Sequence, residues 1–94
     1  MTPTDQPTPA EPDWSVNPGE ILTEKLAEMG LSQFIAANRM GVSQPYISML
    51  CRGRKGIGPG TAIKLEALTG INANTWASLS ARYAVAQERK RHAA

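Results

Sequence analysis

The chain has 94 residues, 41% of them hydrophobic, which suits one small domain and no second, with a core marginal enough that association with another copy is expected. The single cysteine, Cys51, excludes an internal disulfide. No run of about 18 apolar residues offers a membrane span, and Met1 to Pro12 lacks the basic start and apolar stretch of a signal peptide, so a cytoplasmic protein is expected. The net charge of +2 hides an asymmetry, with six carboxylates against Lys25 up to residue 38 and nine cations against Glu66 and Glu88 from Arg39 onward. Such a division points to a polyanion partner such as nucleic acid; its plain alternative is a solvated basic face.

In chain order, residues 1–13 carry Pro3, Pro7, Pro9 and Pro12 among Thr, Asp, Gln and Glu. A disordered acidic tail is expected there, because nothing in it offsets the entropy of ordering. Residues 14–94 then form the expected domain, all-α and built of five helices. Asn17 caps the first, with Pro18 in the first helical position and Glu20 completing a box-like start. Its inner face is read as Ile21, Leu22, Leu26 and Met29, and Gly30 stops it. Ser32 caps a second helix from Gln33 to Met40, with Phe34, Ile35, Ala36, Ala37 and Met40 as its apolar side. Gly41 breaks that helix, and Ser43 caps a third from Gln44 to about Arg52, where Pro45 is tolerated in the first turn.

Arg52 to Gly58, reading RGRKGIG, is a basic glycine-rich loop. Pro59 starts a fourth helix that presents Ala62, Ile63, Leu65 and Leu68 and stops at Gly70. Asn72 caps the fifth, with Trp76, Leu79, Tyr83 and Ala86 in helical phase, and the basic stretch from Glu88 to Ala94 is expected to fray. No strand alternation, hairpin turn or internal repeat is visible.

The twenty residues Gln33 to Arg52 have the stereochemistry of a helix-turn-helix. Ala37 is small enough for two helices to approach closely, Gly41 allows the positive φ of a sharp joint, and Val42, Ile47 and Leu50 are apolar where the joint must be buried. Each match alone is weak, and their combination at these spacings is specific.

On these residues the chain resembles the XRE helix-turn-helix family, which includes phage repressors of the Cro/CI type and HigA-type antitoxins. The resemblance covers Val16 to about Arg89. The HigA branch is suggested by NPGEIL at Asn17 to Leu22, LSQ at Leu31 to Gln33, MGVSQPYIS at Met40 to Ser48, GRKGI at Gly53 to Ile57, and Trp76 followed by LSARY at Leu79 to Tyr83. The chain departs from the family pattern at Asn38-Arg39 and at Pro45, positions that bear on which operator is read.

In such a unit the third helix enters the major groove with its N-terminal half against base edges. Gln44 is the leading base reader, since its amide can pair bidentately with adenine N6 and N7. Pro45, Tyr46 and Met49 can meet a thymine methyl, Tyr46 can alternatively reach a phosphate through its hydroxyl, and Ser48 is adaptable. By resemblance to phage repressors, Gln33 would bind a phosphate and brace Gln44. Ser43, Arg52, Arg54 and Lys55 complete the expected phosphate contacts. The plain alternatives are that Gln33 and Gln44 are solvated helix-start residues, that Tyr46 and Met49 pack as core, and that Arg54 and Lys55 are loop charges. Cys51 reads as a small packed side chain rather than a redox sensor.

The resemblance further implies a homodimer through the fifth helix, with Leu79, Tyr83, Ala84 and Val85 at its edge, reading a palindromic operator in double-stranded DNA. It also implies an antitoxin that represses its own operon and neutralises a small RelE-type (HigB-like) ribonuclease toxin. A phage or mobile-element regulator without a toxin is the rival reading, and a helical adaptor that binds only protein is the rival from another class. Arg89, Lys90 and Arg91 are either a solvated helix end or a second phosphate contact. Catalysis is not expected, because the only histidine, His92, lies in the last three residues and no nucleotide-cradle spacing is present. Neither a cofactor nor a metal set is expected.

Overall fold

The computed structural model describes residues 16–93. The expected tail at residues 1–13, and Trp14 with it, lie outside the described residues. Five helices follow, α1 (Pro18–Met29), α2 (Gln33–Met40), α3 (Gln44–Cys51), α4 (Pro59–Thr69) and α5 (Ala73–Ala93), and the described residues contain no strand.

The helix ends obey the local chemistry that the sequence announces. The Asn17 side chain accepts from the Gly19 N–H at 2.8 Å, Ser32 Oγ from the Ile35 N–H at 3.1 Å, and Ser43 Oγ from the Tyr46 N–H at 3.2 Å. Each satisfies a donor that the first helical turn leaves without a backbone partner. Gly30, Gly41 and Gly70 close α1, α2 and α4 in the left-handed region, at φ of 70°, 71° and 83°. The third helix stops at Cys51, with Arg52 as its cap.

The core gathers Leu22 and Leu26 of α1, Ala36, Ala37 and Met40 of α2, Ile47 and Leu50 of α3, Ile57 of the loop, Ala62 and Leu65 of α4, and Trp76 of α5. Trp76 is fully buried and its indole N–H donates to Thr69 Oγ1 at 3.3 Å, so the polar edge of the largest core side chain is satisfied. α4 packs on α5, α2 on α3 and α4, and α1 on α3 and α5. At the α1–α3 contact, a Cβ on Gly19 would collide with the backbone carbonyls of Leu50 and Cys51. Only glycine permits that approach.

The structure departs from the expected faces in three places. Phe34 and Ile35 are exposed, as are Met29 and Ile63, because helical phase brings only Ala36, Ala37 and Met40 of α2, and Ala62, Leu65 and Thr69 of α4, to the core. Contiguous apolar runs in the sequence predict a wider face than the packing uses. The segment from Glu88 does not fray but continues α5 to Ala93. Glu88 pairs with Arg91 at 3.2 Å and His92 at 3.1 Å, one turn along the helix, and cations suit the negative end of a helix dipole. None of the described helices is long and apolar enough to cross a membrane.

Candidate nucleic-acid interface

The twenty-residue unit becomes α2, a joint and α3. Ala37, Ile47 and Leu50 are buried, Val42 packs against the core, and Gly41 takes the positive φ that turns the chain. The Val42 N–H donates to the Ala37 carbonyl at 3.0 Å across that joint, a Schellman-type closure that fixes the angle between the two helices. Holding the inner face of α3 in this way leaves its outer face to solvent.

That outer face begins at Gln44. Its side-chain Nε2 donates to Gln33 Oε1 at 2.8 Å, linking the first residues of α3 and α2. A glutamine amide has two N–H donors and one carbonyl acceptor, so this bond leaves Gln44 one donor and its carbonyl, the pair that adenine N7 and N6 can take. Gln33 keeps both of its own donors at the start of a helix, where backbone dipoles also favour an anion.

Pro45 and Met49 are exposed beside Gln44, and Ser48 is half-buried. Arg52 donates to Ser48 Oγ at 2.7 Å, which orients the guanidinium along α3. Tyr46 is placed differently from the rest. It is half-buried against the core, and its hydroxyl hydrogen-bonds Thr61 Oγ1 of α4 at 2.7 Å. The hydroxyl is thereby turned towards α4, and the ring fastens α3 to α4. Ser43 is exposed, with its hydroxyl engaged in capping α3.

Arg54 and Lys55 are exposed in the segment that follows α3. They line one open cleft together with Ser80, Tyr83 and Ala84 of α5. Leu79 and Tyr83 are half-buried, while Ala84 and Val85 are exposed. Thr61 and Ser80 were not singled out from sequence. The only signal at Ser80 was a small polar residue four positions after Trp76, on the apolar stripe of α5. No cluster of His, Cys, Asp and Glu among the described residues could hold a metal ion.

Residues 22–76 match the family described as Helix-turn-helix. The chain belongs to that family. It is a DNA-binding regulator of the XRE type. The helix-turn-helix chain is 36% identical over 70 residues to virulence-associated protein I of Dichelobacter nodosus, a match that covers 73% of this chain and spans 65% of that protein's length. The uncharacterized HTH-type transcriptional regulator YddM of Escherichia coli K12 is 30% identical over 73 residues, 78% of either chain. Among solved structures, Pseudomonas aeruginosa antitoxin HigA with the higBA promoter is similar at a TM-score of 0.78 and 30% identity, over 84% of this chain and 87% of that one.

Proposed function

We propose that this helix-turn-helix protein is a HigA-like antitoxin, a homodimer that represses its own operon at a palindromic operator and neutralises a small RelE-type ribonuclease. The Gln44–Gln33 bond carries the DNA part of this reading. It pre-orients a base-reading amide at the tip of α3, so less conformational freedom is lost on binding. Gln44, Pro45, Ser48 and Met49 read bases, while Gln33, Ser43, Arg52, Arg54 and Lys55 engage phosphates. Tyr46 contributes its ring edge, its hydroxyl being held by Thr61. Leu79, Tyr83, Ala84 and Val85 join two copies so that their α3 helices sit about one DNA turn, roughly 34 Å, apart.

Similarity to the antitoxin HigA solved with its promoter supports the antitoxin reading. Similarity to YddM, described only as an HTH-type transcriptional regulator, fits equally a second reading, a regulator that works without a toxin. Affinity purification from the source cells, with nuclease added so that DNA cannot bridge, separates them by intact mass of what co-elutes. A stoichiometric small basic protein that arrests growth and cleaves messenger RNA when expressed alone is the result expected of an antitoxin. Recovery of the homodimer alone overturns the toxin partnership and leaves the stand-alone regulator.

A further inference from the structure

Ser80 faces the buried side of α5, and its Oγ accepts a 2.8 Å hydrogen bond from the backbone N–H of Ile57. Both residues are buried, at 9% and 7% exposure. The bond joins positions 23 residues apart and ties the loop between α3 and α4 to the helix beyond them. Loop and helix are close here, since a Cβ on Gly56 would lie 3.6 Å from Ser80 Oγ. Arg54 and Lys55 stand three and two residues before the tethered Ile57. Tyr83 and Ala84, one turn beyond Ser80, line the same cleft as those two cations.

We propose that Ser80 is a positioning residue for DNA binding, its hydroxyl holding the Arg54–Lys55 segment against the helix through which the two copies associate. The proposal rests on the DNA reading given above. The segment contains Gly53, Gly56 and Gly58, and such backbone is costly to order. The Arg54 N–H is held by the Met49 carbonyl of α3 at 2.9 Å; beyond it a buried N–H without its acceptor is penalised, so the stretch through Lys55 to Ile57 closes on Ser80. Tethering therefore prepays the ordering that phosphate contact would otherwise demand. It also ties the placement of the phosphate-binding cations to the position of α5.

The test compares Ser80→Ala in the full chain with the same change made in an Arg54→Ala/Lys55→Ala background, using operator and scrambled duplexes over a salt series. Ser80→Ala should weaken both duplexes by up to about tenfold, the worth of one hydrogen bond. It should also lower the salt slope, which reports the number of phosphates neutralised. In the doubly substituted background it should cost less than about twofold, because a residue acting through the loop has nothing left to position. Ser80→Thr, which keeps the hydroxyl, should restore the slope. Equal losses in the two backgrounds, or an unchanged slope, would overturn the proposal. If the alanine variant does not fold, Ser80→Cys, with similar volume and a weaker acceptor, carries the same comparison. Amide exchange at Ile57 separates the two levels of argument. Protection that persists in Ser80→Ala overturns the tether itself. Lost protection, with Arg54→Ala/Lys55→Ala leaving the slope unchanged, overturns the phosphate reading and the positioning role together.

Discussion

Gln44 Nε2 and Gln33 Oε1 lie 2.8 Å apart, bridging the first residues of α3 and α2 across eleven positions of sequence. The bond consumes one donor of Gln44 and the acceptor of Gln33, and leaves complementary groups on each for a base edge and a phosphate. Replacing Gln44 by alanine should cost about 1–3 kcal/mol against the operator, the worth of a bidentate base contact. Binding to a scrambled duplex should hardly change. Fluorescence anisotropy titrations on the two duplexes check this, and equal weakening of both would assign Gln44 to phosphate rather than base.

Arg54 should behave in the opposite way. It is exposed between α3 and α4, so a contact from it would fix register without reading sequence. Arg54→Ala should weaken operator and scrambled duplex alike, and reduce the slope of log K against log salt by about 0.9. A slope equal to that of the unaltered protein would place Arg54 outside the interface.

What could be read in advance, and what could not, divides by the range of the interaction. The starts of α1 to α3 and the stops of α1 to α4 depend on groups two to five residues apart, such as Ser32 Oγ with the Ile35 N–H and the Val42 N–H with the Ala37 carbonyl, and caps of this kind are written locally. The joint at Gly41 was legible for the same reason, since one positive φ demands one residue type. Exposure of Phe34 and Ile63 was not, because apolar character identifies a helix but its phase against a partner helix decides which residues are covered. The Tyr46–Thr61 and Ile57–Ser80 bonds join residues 15 and 23 positions apart. Their partners emerge only once α4 and α5 are packed, so the sequence leaves Tyr46 open between the groove and the core and gives no sign of the Ser80 bond.

Gly19 offers a test of the packing that supports α3. A methyl group there meets the carbonyls of Leu50 and Cys51, which are backbone and cannot rotate away. Gly19→Ala lies within a helix, where alanine would ordinarily be favoured by up to about 1 kcal/mol. The clash should reverse that sign and destabilise the fold by about 1–3 kcal/mol, as overpacking does. Thermal unfolding followed by circular dichroism measures it, and an unchanged or raised Tm would show that α1 and α3 can separate without cost.

Val85 tests the proposed association without touching the core. It is 50% exposed near the middle of α5, next to the exposed Ala84 and two residues beyond the half-buried Tyr83. A glutamate placed there leaves the monomer's interior intact but, in the proposed dimer, would bury a charge between two copies. Sedimentation velocity of Val85→Glu should therefore show a monomer with an unaltered circular dichroism spectrum. Operator affinity should fall by about 10²-fold or more, because the second half-site contact would no longer be intramolecular. Affinity for a single half-site should change little, which separates lost association from lost DNA contact. A dimer that persists in Val85→Glu, with full operator binding, would move the association surface away from this part of α5.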